Sequence, residues 1–234
     1  WKKSNASSAL SIAYQYNWVE RNYLDDSSYI SNTFATFSKS NYIGRTHFAE
    51  INASKLLSNW ELLAGIDFRH NSTTQDYYSI GTWGPYTSPT LNAWMAQLSG
   101  FGSAVYKKKD FTVELGGRLN HHSKYGNNAT FTFNPAYRLT QQLRVFGNVY
   151  SAFKTPTLYQ LFDPYSGNAS LTPEKGLIQE LGLDFSASKN LRGRVVAFNR
   201  NSKQTIIYTY NPSSFAGGYL NASSQQDHGF ETEL

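Results

Sequence analysis

The chain has 234 residues, 40% of them hydrophobic, and carries 17 Tyr, 15 Phe and 5 Trp against a single Met. Its formal charge is +5, but the basic residues scatter and the one run, Lys107 to Lys109, ends in Asp110 like a hairpin turn, which excludes a nucleic-acid footprint. The absence of cysteine excludes a disulfide framework, a zinc–thiolate site and a thiol nucleophile.

The predicted elements are strand after strand, with no helix. Leu10, Ile12, Tyr14, Tyr16 and Trp18 alternate with polar neighbours and make the first strand, and a polar, aromatic loop follows from about Asn22 to Asn41. A second strand runs from about Tyr42 to Leu56 and turns at Ser58-Asn59. The third places Trp60, Leu62, Ala64, Ile66 and Phe68 on one side, with Glu61, Gly65, Asp67 and Arg69 on the other. The longest loop, about Asn71 to Asn92, holds Tyr77, Tyr78, Trp83, Pro85, Tyr86 and Pro89. A fourth strand, about Ala93 to Tyr106, meets a fifth across KKKD, where Phe111, Val113, Leu115 and Leu119 alternate with Thr112, Glu114, Arg118 and Asn120.

A loop around KYGNNA leads to a sixth strand with Phe131, Phe133, Tyr137 and Leu139 on one face, and Thr140 to Gln142 turns into a seventh that begins at Leu143. Beyond a long irregular loop, Leu181, Leu183 and Phe185 oppose Glu180, Gly182 and Asp184, and SASKN turns into a ninth strand, about Leu191 to Tyr208. The faces of that strand do not sort, because Val195, Val196, Ala197 and Phe198 run together. NPSSFAGG then precedes a last strand, about Tyr219 to Leu234, which makes about ten in all.

Short connections alternate with long ones. A meander with short turns at one rim and long loops at the other is the pattern of outer-membrane barrels, and it turns the loops at Asn22, Asn71, His121, Lys154 and Tyr210 outward. A soluble sandwich would mix connection lengths at both ends. No apolar run approaches the roughly 18 residues of a membrane helix, so a membrane location requires strands. The mean hydropathy of −0.50 is compatible with that, since only alternate residues of a barrel strand face lipid. The N-terminal WKKSNASS has neither a hydrophobic signal core nor a cleavage site, as expected of a mature piece or an excised fragment.

The densest motif lies between Leu143 and Phe185. A strand with Leu143, Val145, Val149 and Phe153 on one side and Arg144, Asn148 and Lys154 on the other ends in AFKTPTLYQLF; NASLTPEK and QELGLDF follow. The order of Ala152, Phe153, Pro156, Thr157, Leu158, Leu161, Phe162, Asn168, Leu171, Pro173, Glu174, Lys175, Glu180 and Gly182 closely resembles the C-terminal barrel of TonB-dependent outer-membrane receptors. YLNASSQQDHGFETEL resembles that family's late strand at Asn221, Gly229, Phe230, Glu231, Glu233 and Leu234.

The resemblance implies an all-β, antiparallel up-and-down meander that is part of a larger transmembrane barrel in the bacterial outer membrane. It makes 1–234 a partial barrel domain, with a plug domain and both barrel ends lying elsewhere. It also implies TonB-energised uptake of a scarce ligand such as an iron-siderophore, haem, cobalamin or glycan. The expected partners are the TonB complex reached through the plug, the imported small ligand, and membrane lipid or lipopolysaccharide, with no nucleic acid and no cofactor. Phe153, Pro156, Leu158, Asn168, Pro173, Glu174, Lys175, Glu180 and Gly182 are expected to shape the structure rather than bind cargo. Proline fixes a backbone angle there, and a carboxylate beside Lys175 can anchor a strand start.

From the chemistry of the residues alone, the ligand-binding candidates are Tyr77, Tyr78, Trp83 and Tyr86, crowded in one outward loop where rings can stack on a ligand. The competing reading makes them interface anchors. No enzyme is expected: adjacent His121 and His122 point to opposite faces of a strand, no serine sits in a Gly-x-Ser-x-Gly elbow, and the glycine pairs lack a following helix. Glu50, Glu61 and Asp67 read as charges balancing Arg69 and Arg118. Two further readings remain open at this point: a passive outer-membrane porin and a soluble carbohydrate-binding β-protein.

Overall fold

The computed structural model describes residues 1–27, 35–186, 191–213 and 216–234. In chain order the elements are β1 (Lys2–Ser4), β2 (Ser8–Asp26), β3 (Ala35–Leu57), β4 (Trp60–Gly81), β5 (Gly84–Thr87), β6 (Leu91–Lys108), β7 (Phe111–His122), β8 (Gly126–Arg138), β9 (Leu143–Lys154), α1 (Leu158–Phe162), β10 (Glu174–Ser186), β11 (Arg192–Lys203), β12 (Ile206–Asn211), β13 (Ala216–Asn221) and β14 (Ser224–Glu233). One antiparallel sheet runs β1-β2-β3-β4-β6-β7-β8-β9-β10-β11-β14, with β5 added on the far end of β4; β12 and β13 form a separate hairpin. The up-and-down meander is the expected one.

Several boundaries differ from the sequence reading, each for a physical reason. Residues 71 to 81, expected as loop, continue β4, because the polar run from Ser72 to Gln75 is paired on both sides, with β3 and with β6. Where both faces of a strand are wet, no alternation marks it. The stretch from Asn22 to Asn41 is likewise mostly β2 and β3, and its remainder lies largely outside the described residues, as do most of SASKN and part of NPSSFAGG. The outward loop at His121 is only a three-residue turn, Ser123 to Tyr125, closed by Gly126 at φ +64°. The ninth and last expected strands each divide, into β11 and β12 and into β13 and β14, with Gln204 at φ +57° marking the first break. Lys2 to Ser4 pair with β2 as a short strand. The α1 turn inside the irregular loop was not foreseen. It is nucleated by Thr157, whose side chain accepts from the Gln160 backbone N–H while the Gln160 side chain reaches back to Thr157.

The strands have one polar and one apolar face. The register places Glu61, Gly65, Asp67, Phe101, Arg118, Glu114, Asn148, Glu180, Gly182 and Phe198 on the polar side. It also sorts the run that sequence could not: Val195 and Ala197 face the apolar side, Val196 and Phe198 the polar side. Every ion pair found among the described residues lies on the polar face, among them Arg118–Asp67 at 2.7 Å, with Asp67 buried, and Arg144 and Arg194 both on Asp184 at 2.7 Å. Of the expected charge pairs Asp67–Arg118 forms, whereas Glu61 pairs with Lys107 and Glu50 accepts from Asn52.

Among the described residues, nothing packs on the apolar face. Ile66, Leu98, Leu115, Leu119 and Leu181 are each more than half exposed there. Such a continuous apolar surface suits lipid, not water. It is bounded by Trp60 and Tyr106, rings 4.8 Å apart near the short turns, and by Tyr16, His47, His70 and Trp94 toward the other rim. From Trp60 to His70, about ten steps of 3.3 Å tilted by about 40° rise about 25 Å, the height of a barrel's lipid-facing band.

On the polar face a repeated device locks neighbouring strands. The far end of the Phe146 ring lies over Gly182, directly opposite it, and the tip of the Phe101 ring lies over Gly65. Each ring is covered by guanidinium: Arg144 and Arg194 each 5.4 Å from the Phe146 centroid, and Arg118 5.5 Å from that of Phe101. A glycine opposite an aromatic leaves the space in which the ring lies down, and the arginines gain a cation–π contact.

Candidate site at the outer mouth

The rim with the short turns lies at Ser58-Asn59 and Lys109-Asp110, whose first residues have φ of +49° and +53°. At the opposite rim the connection from β9 to β10 turns inward over the polar face. Leu158 and Leu161 of α1, with Leu171, form a buried cluster with Met95 of β6, and Phe162, Ile206 and Tyr219 pack around it. Met95 pairs with Asn71 and therefore faces the polar side. Burying these apolar side chains supplies the loop with a small core of its own.

Several of the motif residues contact this loop. Pro156 is fully buried, and Leu158 begins α1 almost fully buried. Asn168 donates to the Tyr219 carbonyl at 2.9 Å and accepts from Ser170, tying the loop to β13. Asn221 donates to the carbonyls of Thr172 and Gln204 and accepts from the Thr172 N–H, closing the β12–β13 hairpin on the strand that follows half-buried Pro173. Glu174 faces the polar side, pairs with Lys154 at 3.3 Å and accepts from the Ile206 N–H. Glu180 accepts from Asn148 and from the Tyr150 hydroxyl, and Gly182 lies under Phe146. Phe153 and Lys175 pair with one another on the apolar face.

The four loop aromatics do not form one site. Tyr77 faces the polar side and approaches Tyr86 of β5 at 6.4 Å. Tyr78, its chain neighbour, points to the other face, edge-on to Phe37 at 6.1 Å. Trp83 lies at the tip of the β4–β5 turn, 80% exposed. In a loop, as expected for residues 71 to 92, side-chain direction is free; in a strand, successive residues must diverge.

The structure adds residues that the sequence reading missed. Tyr165 of the inward loop meets Tyr77 edge-on at 5.6 Å. Tyr159 of α1 meets Tyr219 at 6.2 Å, and Tyr219 meets Tyr208 at 5.3 Å. Burial, and then the neighbouring Tyr86 and Tyr77 hydroxyls, push the Tyr165 hydroxyl up to about 12. Burial also raises Tyr159. Both phenols are therefore neutral at physiological pH and offer hydrogen-bond donors beside ring faces. The only sequence signal for Tyr165 is its place inside the densest motif, and for Met95 that it is the single methionine.

The arrangement is a tyrosine-lined basin at the mouth of the polar face, floored by a loop packed on Met95. Its rings remain about half exposed, with Tyr86 at 49% and Tyr165 at 61%. They can stack on flat apolar surface and donate hydrogen bonds at its rim.

A family model described as TonB dependent receptor-like, beta-barrel, matches residues 1–234. Among curated relatives, the vitamin B12 transporter BtuB of Photobacterium profundum is 35% identical over 81 residues, which are 35% of this chain and 13% of that protein. The copper transporter OprC superposes over 99% of this chain and 41% of its own, with a TM-score of 0.79 and 14% identity. The ferric enterobactin receptor PfeA of Pseudomonas aeruginosa, in its G324V form, covers 99% of this chain and 39% of its own at a TM-score of 0.74 and 16% identity. At these identities the likeness to solved structures is one of fold, and the chain spans well under half the length of each of these proteins.

Proposed function

The chain belongs to the family of TonB-dependent receptor β-barrels of the outer membrane, and on that premise we propose that its outer mouth receives a large, near-neutral ligand with extended ring surface, a corrinoid such as cobalamin, for energised uptake. The family and the similar structures are receptors and transporters rather than enzymes. A soluble sugar-binding protein gives way to that family, and so does a passive porin.

The observation that carries the reading is the Tyr77, Tyr86 and Tyr165 cluster on the polar face. Three tyrosine side chains provide stacking and hydrogen bonding, which suits a neutral macrocycle better than a multiply anionic iron chelate, for which cationic side chains would be needed. The curated relatives named as vitamin B12 transporters support the same choice. In this reading the loop that buries Leu161 presents Tyr165, and the TonB complex acts through a plug domain in the barrel.

The test uses the natural full-length protein in outer membranes with cyanocobalamin as probe. Tyr77→Ala and Tyr165→Ala are each expected to weaken binding about tenfold, the worth of one stacked ring. Uptake, unlike binding, is expected to vanish in cells without TonB. Failure of cyanocobalamin to bind, with a ferric siderophore bound instead, would reject the ligand class and leave the receptor reading intact. Unchanged affinity in both variants would remove the tyrosine basin from the binding site.

A further inference from the structure

Two imidazoles meet where no local spacing in the chain would bring them. His47 of β3 and His70 of β4 are directly opposite in the register, on the apolar face, with ring centres 6.1 Å apart. Of the five histidines, no other two face one another across strands: His121 is opposite Leu98 and Asn127, His122 opposite Gln97 and Gly126, and His228 opposite Asn199. The tyrosine basin, on the other face of the sheet, uses neither His47 nor His70.

Their surroundings orient both rings. His47 Nδ1 is hydrogen-bonded with the Tyr14 hydroxyl at 2.9 Å, which leaves Nε2 as the nitrogen available to a ligand. Tyr16 packs against the same ring at 4.8 Å, and Trp94 stacks on His70 at 5.7 Å, 21° from parallel. Held by aromatic neighbours, the two rings have little freedom left to lose on taking a shared ligand.

The distance suits one ion between them. A metal about 2.0 Å from a nitrogen of each ring is about 3 Å from each ring centre, so the centres are about 5 Å apart at a tetrahedral angle and about 6 Å when the ligands are nearly in line. The observed 6.1 Å is at the wide end of that interval. The pair is about 25 Å above Trp60, at the outer edge of the lipid-facing band, and the next row outward on this face carries Arg45 and Ser72. Water reaches that level and completes the coordination shell that two imidazoles leave open. The Arg45 charge opposes a cation there only weakly, because the same water screens it.

We propose that His47 and His70 bind one divalent transition-metal ion, Cu²⁺ more tightly than Ni²⁺ or Zn²⁺, as a clip across β3 and β4. Imidazole nitrogen suits these ions, whereas Ca²⁺ and Mg²⁺ require oxygen donors. With the metal on Nε2, the Nδ1–H of His47 donates to the Tyr14 oxygen, the outer-shell bond that fixes a ligating imidazole. The ion joins the two strands where they leave the membrane, below the extension of β4 that carries Tyr77. It is independent of the ligand proposed for the basin, because it faces the opposite side of the sheet.

The experiment takes the natural full-length protein, purified in mild detergent without a polyhistidine tag, and titrates it with Cu²⁺ alone while recording electron paramagnetic resonance spectra. The expected signal is a bound ion split by two nitrogens, displaced by excess Zn²⁺ and not by Ca²⁺. His47→Ala and His70→Ala should each abolish the two-nitrogen signal, and Tyr14→Phe should weaken binding about tenfold, as expected for loss of an outer-shell partner. His121→Ala, which removes a histidine outside the pair, should bind as the wild type does. Heat-modifiable electrophoretic migration establishes that each variant is folded. A two-nitrogen signal that persists in the folded His47→Ala/His70→Ala double variant overturns the proposal, as does a wild type that shows no such signal.

Discussion

Leu161→Ala is expected to release the inward loop while leaving the barrel folded. Leu161 is 2% exposed, and it is the member of α1 most deeply set in the cluster with Met95, Leu158 and Leu171. Truncating a buried leucine costs about 2 to 5 kcal/mol, because a cavity replaces contacts that a short element cannot re-form. That cost falls on a segment of modest size, anchored otherwise by a few hydrogen bonds from Asn168, Asn221 and Glu174, each contributing about 1 kcal/mol. The loop should therefore open locally rather than unfold the sheet. Added protease on intact cells should cut the variant between Thr155 and Pro173 and spare the wild type, while the heat-modifiable band persists. Ligand affinity should fall more than it does in Tyr165→Ala, since Tyr165 and Tyr159 both ride on this loop. If the variant resists protease as the wild type does, the Met95 cluster does not hold the loop.

Gly182→Val is expected to destabilise the sheet by about 3 kcal/mol, the upper part of the range for overpacking. A Cβ at this position would collide with the far edge of the Phe146 ring. The ring has little freedom to withdraw, since Arg144 and Arg194 cover it and are themselves fixed on Asp184. Urea titration followed by loss of the folded electrophoretic species gives the measurement. The clash is specific to one pair, so Phe146→Ala should cost stability in the wild-type background and restore part of it in Gly182→Val. Additive losses in that double-mutant cycle would show that the ring and the glycine do not interlock.

Much of the architecture is legible in the chain itself. Alternation over Leu10 to Trp18, Trp60 to Phe68 and Phe111 to Leu119 identifies strands and their faces, because a lipid-facing strand must repeat every two residues whatever its neighbours are. Ser58-Asn59 and KKKD announce tight turns, and the motif from Phe153 to Gly182 announces the family. Those signals are local or arise from residues in a fixed order, so one dimension suffices to carry them.

The remainder depends on how the strands assemble. Beyond the lipid both faces of a strand are wet, so the extension of β4 through Tyr77 and Tyr78 leaves no period, and only its pairing with β3, and with β5 from Tyr78 onward, reveals it. That extension sends the two tyrosines to opposite faces. The basin brings residues 77, 86 and 165 together through a loop that packs on Met95, about 60 positions from the helix it receives. Contacts so distant in the chain depend on where the sheet carries each strand, and no local pattern encodes that. Order and alternation along the chain are enough to specify a membrane meander and its family; which tyrosines meet follows only from the register of the folded sheet.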